Sequence, residues 1–124
     1  MTVHEGGCAC GAVRYRVRGE PNHVGICHCI NCRQESGSMF VTYADWPIEQ
    51  FSVSGDFATY DGRSFCPRCG SRLFTIDETK AEIRLGSLDA APMGLVPTRE
   101  GWIKRREHWL QPIEGTAQFR EDPA

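Results

Sequence analysis

Seven cysteines are the residues in this 124-residue sequence whose type and spacing point most directly to chemistry. They form a pair at Cys8 and Cys10, a triplet at Cys27, Cys29 and Cys32, and a pair at Cys66 and Cys69. An odd number cannot form a complete set of intrachain disulfides, and closely spaced cysteines in a reducing compartment are more typical of metal binding. The sequence therefore predicts sites for a thiophilic metal ion such as zinc.

The two outer pairs predict one closed metal site. Cys66 and Cys69 are separated by two residues and followed by a glycine, which permits a positive φ and leaves backbone N–H groups free to bond thiolates. Cys8 and Cys10 are spaced more tightly, but a glycine follows them too. Each pair can supply two thiolates to one tetrahedral ion, and a site with four protein ligands is structural.

Spacing alone leaves a different pairing open. Cys29 and Cys32 could join Cys66 and Cys69 as a zinc ribbon, which would leave the other three cysteines without partners. We favour the first pairing because it keeps the three clustered cysteines together.

With that pairing, Cys27, Cys29 and Cys32 form a second set that can face one ion. His28 is a candidate fourth ligand, but in an extended segment its side chain points away from those of its neighbours, which favours a supporting role. More remote candidates are His4, His23 and His108. Otherwise the position is open to water or a substrate thiol, as in catalytic zinc sites. A second structural zinc, or an iron–sulfur cluster with one further cysteine, is the alternative.

The elements that must position these cysteines are mostly short strands. Alternating apolar residues and arginines over 13–18 predict a half-buried strand, and residues 31–36 predict one or two helical turns that end at Gly37. Residues 51–60 predict a hairpin around Ser54-Gly55-Asp56. Further strands are predicted over 39–43, from about Arg72 and over 81–85, with loops at 45–50 and 87–97.

These patterns predict a mainly β fold in a single domain over residues 1–124. The polar tail, 120–124, is expected to fray. Trp102 and Trp109 are expected to cover the core late in the chain.

Charge and hydropathy exclude some classes of protein. The net charge of −2 argues against a nucleic-acid-binding domain. The short basic run 104–106 is interpreted as a solvated face, with a phosphate-binding patch as the alternative. No apolar run approaches the length that crosses a bilayer, so we expect no membrane partner. The N-terminus lacks the pattern of a secretory leader, so the expected location is cytoplasmic.

The ordered motifs GGCACGAVRY, CHCINCRQESGSMF, FCPRCGSRLF and LGSLD resemble the glutathione-dependent formaldehyde-activating enzyme family, which includes centromere protein V. The resemblance implies a β-tent fold of small coiled antiparallel sheets held by zinc, with two Zn²⁺ per chain. It implies a structural zinc on Cys8, Cys10, Cys66 and Cys69. It also implies a second, catalytic zinc on Cys27, Cys29 and Cys32.

The same resemblance implies an activity. The reaction that names the family joins glutathione to formaldehyde to give S-hydroxymethylglutathione, and it is classed with the carbon–sulfur lyases. We therefore expect a zinc-dependent enzyme acting on a small thiol adduct, with a thiol such as glutathione as its partner. Beside the triplet, Arg33 is predicted to clamp an anionic substrate, unless it is only a solvated arginine, and Ser36 to donate a hydrogen bond to it.

A non-catalytic zinc-binding interaction module on the same fold is the alternative function, because a fold does not decide an activity. This alternative needs an exposed apolar patch, for which Trp46, Trp102 and Trp109 are the candidates.

Overall fold

The computed structural model describes residues 1–123, and its fold is mainly β, as predicted. The strands are β1 (Val3–Gly7), β2 (Arg14–Arg18), β3 (His23–Cys27), β4 (Val41–Pro47), β5 (Phe51–Ser54), β6 (Ala58–Tyr60), β7 (Arg63–Phe65), β8 (Arg72–Ile76), β9 (Lys80–Arg84), β10 (Arg99–Gly101) and β11 (Ala117–Gln118). The helices are α1 (Ile30–Ser36) and three 3-10 turns, Ile48–Gln50, Leu85–Ser87 and Ile103–Arg105. None of the helices in this described part is long and apolar enough to cross a membrane.

The chain forms two compact units, each built from two stretches of sequence. The first unit contains Met1–Asn22 and Ala44–Gly94, and the second contains His23–Tyr43 and the chain from Leu95 onward. The expectation of a single domain stays a prediction.

In the first unit, β1, β2 and β5 form an antiparallel sheet with β2 in the middle. Along β2 and the residue before it, Val13, Tyr15 and Val17 are buried while Arg16 and Arg18 are exposed. This confirms the predicted half-buried strand. The alternation fixes the register, since a shift by one residue would exchange the buried and exposed faces.

The predicted hairpin over residues 51–60 is wrong, although both of its strands exist. β5 pairs with β2, whereas β6 pairs with β7, so the turn between them connects two different sheets. Gly55, with φ of 92°, permits this, since a Cβ there would lie 2.0 Å from the carbonyl oxygen of Ala12. Phe51 and Phe57, on either side of the turn, both pack edge-on against Phe74. Packing of these two half-buried rings on the fully buried Phe74 favours this pairing.

The predicted loop at 45–50 is also wrong. β4 continues through Pro47 and is followed by a 3-10 turn. The indole of Trp46 is fully buried and donates to the carbonyl of Gly19 at 2.9 Å, so burial of a large side chain keeps the segment extended. The strands predicted from about Arg72 and over 81–85 are present as β8 and β9.

In the second unit, β10 runs parallel to both β3 and β11. The helix α1 is confirmed and ends at Gly37, whose φ of 70° lets its N–H bond the carbonyl of Arg33. In the tail, the carbonyl of Glu121 accepts from the N–H of Trp102 at 2.8 Å, and Ala124 lies outside the described residues. The expectation that the tail frays stays a prediction.

Candidate metal centres

The first unit brings together Cys8, Cys10, Cys66 and Cys69, here called the four-cysteine cluster. Cys8 and Cys10 lie in the turn between β1 and β2, and Cys66 and Cys69 lie in the turn between β7 and β8. A backbone hydrogen bond closes each turn. The N–H of Gly11 donates to the carbonyl of Cys8 at 3.1 Å, and the N–H of Gly70 donates to the carbonyl of Cys66 at 2.8 Å. Each glycine has a φ near +80°, which only glycine adopts easily.

The sulfur atoms of the four-cysteine cluster have the spacing of a tetrahedral site. Their ligand atoms all lie within 4.8 Å of one another, with Cys8 Sγ 3.6 Å from Cys10 Sγ and Cys10 Sγ 3.7 Å from Cys66 Sγ. Tetrahedral zinc with Zn–S bonds of about 2.3 Å places sulfurs about 3.8 Å apart. The donor set therefore fits a closed zinc site. This grouping is the pairing that the sequence analysis favours, and the zinc ribbon is not formed.

Hydrogen-bond donors surround the sulfurs of this cluster. The N–H of Val13 donates to Cys8 Sγ at 3.2 Å. The Ser71 hydroxyl, 3.3 Å from Cys69 Sγ, accepts from the N–H of Ala9 at 3.0 Å and so links the two turns. Ser71, with its own N–H, lowers the pKa of Cys69 to about 5. Cys69 is therefore prepared as a thiolate, the form that binds metal.

Cys10 titrates in the opposite direction. The N–H of Ala12 lowers the pKa of Cys10, but burial and the thiols of Cys8, Cys69 and Cys66 together outweigh that bond and raise the pKa to about 11. Opposite shifts within one cluster are the consequence of several thiols competing for one negative charge. A divalent cation among them removes this competition by stabilising every thiolate at once.

The second unit brings together Cys27, Cys29 and Cys32, here called the three-cysteine cluster. Cys27 ends β3, Cys29 caps the N-terminus of α1, and Cys32 lies in the first turn of that helix. The Sγ of Cys29 accepts from the N–H of Cys32 at 3.3 Å. The three ligand atoms lie within 4.8 Å of one another, and only Cys32, at 9% exposure, is buried.

Crowding controls the ionisation of Cys32. The thiol of Cys27, then burial, and then Cys29 raise the pKa of the Cys32 thiol far above its usual range. The donors are soft thiolates that repel one another, so the set fits a soft divalent cation that relieves the repulsion.

No other His, Cys, Asp or Glu among residues 1–123 joins the three sulfurs in a common group. Of the candidate histidines, His4 packs against Trp46 in the first unit, and His108 lines a cavity described below. His23 begins β3, four residues before Cys27. The cluster therefore offers three protein ligands.

His28 lies between two of the cysteines but faces a buried carboxylate instead. Its Nε2 is 2.8 Å from Oε1 of Glu100, both side chains are only 2% exposed, and its backbone N–H donates to Gly101 at 3.2 Å. The other oxygen of Glu100 accepts from the N–H of Ile113 and the amide of Gln118. Burial alone would raise the pKa of Glu100, but these donors lower it below its usual value. The pair fixes the backbone between Cys27 and Cys29, which is the supporting role expected of His28.

Arg33 and Ser36, the predicted substrate contacts, already have partners within the chain. The guanidinium of Arg33 donates to Glu107 at 2.8 Å and to the carbonyl of Arg105 at 3.1 Å. The Ser36 hydroxyl donates to the carbonyl of Cys32 at 2.7 Å. Their roles toward a substrate stay predictions.

A cavity of about 690 Å³, here called the basic cavity, lies within the second unit beside α1. Its lining is rich in cationic side chains and consists of Ile30, Arg33, Lys104, Arg105, Arg106, Glu107, His108, Trp109 and Arg120. None of the three cysteines lines it, but Ile30 and Arg33 belong to the same helix as Cys32.

Trp109 is 67% exposed at this cavity, so the expectation that it covers the core is wrong. The indole of Trp102, by contrast, is half-buried, with its Nε1 donating to Asp122 at 2.6 Å.

A mainly β chain with two groups of cysteines that could each hold a metal ion is typical of the class of thiolate metal proteins. The model of the family "Glutathione-dependent formaldehyde-activating enzyme" matches residues 3–105, and the chain belongs to this family. The resemblance stated from the sequence is thereby confirmed.

Two curated relatives carry names of this kind. A "Putative glutathione-dependent formaldehyde-activating enzyme" from Halomonas elongata is 31% identical over 93 residues, covering 64% of this chain and 59% of the relative. An "Uncharacterized lyase" from Schizosaccharomyces pombe is 28% identical over 79 residues, covering 60% of this chain and 58% of the relative. The matches thus span less than two thirds of either relative.

A crystal structure of a Rhodobacter sphaeroides protein has a similar fold. It superposes with a TM-score of 0.56 and 19% identity, covering 75% of this chain and 97% of that one. At this identity the likeness concerns the fold alone.

The sequence did not point to Ser71, to Glu100, or to the position of Arg120 beside the basic run 104–106. Ser71 carried a usable signal, because it follows the second cysteine of its turn by two residues. Glu100 carried none, since it meets His28 only after 72 residues of intervening fold.

Proposed function

We propose that this protein is a zinc-dependent enzyme of the carbon–sulfur lyase type, and that its reaction takes place at the three-cysteine cluster. The observation that carries the proposal is a set of three thiol ligands that no other described ligand residue completes. Three protein ligands and one exchangeable position are the arrangement of catalytic zinc. Family membership supports glutathione and formaldehyde as the reactants.

The proposed reaction adds a thiol to an aldehyde. The carbon–sulfur bond forms, the carbon–oxygen double bond becomes a single bond, and the thiol proton ends on the aldehyde oxygen. Zinc held by Cys27, Cys29 and Cys32 would favour the thiolate form of the incoming thiol. Since three thiolates make the site electron-rich, its main contribution is to position the sulfur rather than to activate it.

The chain's own residues would keep this site rigid. The His28–Glu100 pair holds the peptide between Cys27 and Cys29, and the Cys32 N–H bonds the sulfur of Cys29. The fourth position can then be approached without rearrangement of the three ligands. Arg33 and Ser36, on the same helix, remain the proposed contacts for the substrate's polar groups.

The four-cysteine cluster is proposed to hold a second zinc ion with a structural role. Its four ligands come from two turns far apart in the sequence, and the measured sulfur separations suit a closed tetrahedron. Each chain would then hold two zinc ions.

Two-dimensional NMR exchange on mixtures of glutathione and formaldehyde tests the activity, because it measures the rate of adduct formation at equilibrium. We expect the protein to raise the rate above the uncatalysed exchange and Cys32→Ser to abolish the increase. Gln34→Ala, an exposed change in the same helix, is the matched control and should retain the increase. An increase that survives in Cys32→Ser would overturn the proposed site.

The second candidate is a non-catalytic interaction module, which the exposed side chain of Trp109 favours. The other two tryptophans considered for an exposed apolar patch do not support the module, since Trp46 is fully buried and Trp102 is half-buried. No rate increase with any thiol, together with two tightly held zinc ions, would favour the module.

A further inference from the structure

The basic cavity carries more positive charge than its surroundings neutralise. Five cationic side chains line it, and three carboxylates contact them. The pairs are Arg33 with Glu107, Lys104 with Glu121, and Arg106 with Glu100. Five cations and three anions leave an excess of two positive charges. Within residues 1–123, the excess lies on Arg105 and Arg120, whose exposed guanidinium groups have no comparable ion pair.

The cavity also has an apolar wall. Trp109 is 67% exposed and Ile30 is 43% exposed, and both line the cavity. An exposed indole next to free guanidinium groups can stack on a planar ring while the arginines bond an anion. A bidentate guanidinium matches phosphate as well as carboxylate, so charge and shape together select the ligand.

We propose that the basic cavity binds the phosphate-bearing end of a thiol substrate, with Arg105 and Arg120 on the phosphate and Trp109 against an adjacent planar ring. This inference rests on the proposed function for the reacting thiol itself, which would reach the three-cysteine cluster along α1. Ile30 and Arg33 lie on both the wall of the cavity and that helix.

Glutathione suits this cavity less well than a phosphate-bearing thiol. Its carboxylates can bond the arginines, but its ammonium group needs a carboxylate partner, and among the described residues Glu107 is the one carboxylate in the lining. That carboxylate already accepts from Arg33 at 2.8 Å. An ammonium group would therefore meet uncompensated positive charge, whereas a phosphate would neutralise it.

Titration calorimetry with ADP tests the cavity without any thiol chemistry. ADP offers the phosphates and the ring but has no thiol, so its binding does not depend on the proposed reaction. We expect binding that weakens as salt is added, and a fall in affinity of about tenfold in Arg105→Gln/Arg120→Gln, since a hydrogen bond to a charged group contributes at least that factor. Arg16→Gln, an exposed arginine of β2, is the matched control and should leave the affinity unchanged.

The affinities of Trp109→Ala for ADP and for pyrophosphate distinguish the contribution of the ring from that of the phosphates. We expect Trp109→Ala to weaken ADP about tenfold and to leave pyrophosphate unaffected, because stacking requires a ring. Equal ADP affinity in the wild type and the double arginine variant, or in the wild type and Trp109→Ala, would overturn the proposal.

The rate assay then links the cavity to the substrate. With coenzyme A as the phosphate-bearing thiol, we expect the double arginine variant to raise KM about tenfold and Arg16→Gln to leave KM unchanged. A KM for coenzyme A unaffected by both arginines would contradict the proposed substrate class. If no thiol reacts but ADP binds as expected, the reaction is wrong and the anion site stands.

Discussion

The two cysteine clusters are held by different kinds of backbone. The four-cysteine cluster is built from two glycine-containing turns between antiparallel strands, and the Ser71 hydroxyl bonds both turns. The three-cysteine cluster is built from one continuous segment, in which a strand end passes directly into a helix N-terminus. The four-cysteine cluster therefore joins distant parts of the chain, whereas the three-cysteine cluster lies within one strand-to-helix junction.

This difference supports the proposal that the four-cysteine cluster is structural and the three-cysteine cluster is the reactive one. A metal ion that ties two turns 56 residues apart would bind only once the chain has folded, so its binding free energy would add directly to the stability of the fold. A metal ion in the three-cysteine cluster would hold together only the end of β3 and the start of α1, so it would contribute less to the stability of the whole fold. Because only three cysteines would hold this metal ion, one coordination position would stay open for an exchangeable ligand.

The largest expected effect is that of Cys66→Ser. The variant should lose the structural metal and about 5 kcal/mol or more of stability, since structural zinc supplies much of the folding free energy in small domains. Thermal unfolding and zinc content per chain are the measurements.

Cys32→Ser is the matched variant in the other cluster. It should lose one zinc ion while the protein stays folded, with a loss of stability well below that of Cys66→Ser. Equal losses of stability in the two variants would remove the distinction between a structural and an exchangeable centre.

Glu100→Gln is expected to have the next largest effect. The carboxylate is buried and accepts from His28, from Ile113 and from Gln118, so a neutral amide leaves donors facing one another. We expect a loss of about 2 kcal/mol at pH 7, measured by denaturant unfolding. The matched control is Glu114→Gln, an exposed carboxylate in the same unit.

The effect of Glu100→Gln should depend on pH with a definite sign. The pKa of Glu100 in the folded state is below its usual 4.5, so the charged form stabilises the protein above that pH. The stabilisation is lost as the pH falls through the lowered pKa, and the variant should approach the wild type there. A difference that stays constant from pH 7 down to 3.5 would mean that the charge contributes nothing.

Ser71→Ala is expected to have the smallest effect. It removes the hydroxyl that bonds Cys69 Sγ and the N–H of Ala9, so the pKa of Cys69 should rise toward its usual value. We expect a loss of about 1 kcal/mol and a weaker hold on zinc, measured by competition with a chromogenic chelator. Ser36→Ala, whose hydroxyl bonds a carbonyl and not a sulfur, should leave that competition unchanged.

Local patterns allowed the sequence to predict much of this structure. The cysteine groups, the strand β2 and the stop of α1 at Gly37 depend on residues within a few positions of one another. The strands on either side of Gly55 were located correctly for the same reason.

Long-range pairing explains what the sequence could not predict. The hairpin failed because both aromatic flanks pack on Phe74, about 20 residues further along the chain. The parallel pairing of β10 with β3 and the contact of His28 with Glu100 join residues more than 70 positions apart. Trp109 was expected to cover the core, but it lines a cavity in which the fold brings Arg120 to the basic run 104–106, and no local pattern indicates that approach.

We propose that the fourth ligand at the three-cysteine cluster is an exchangeable thiol. Cobalt substitution of anaerobically purified protein tests it most directly, because the intensity of thiolate-to-cobalt absorption follows the number of bound sulfurs. We expect a substrate thiol to increase this absorption in the wild type. It should leave the absorption of Cys32→Ser, in which only the four-cysteine cluster is loaded, unchanged. A wild-type spectrum with two loaded sites that stays the same at saturating glutathione and coenzyme A would contradict the claim.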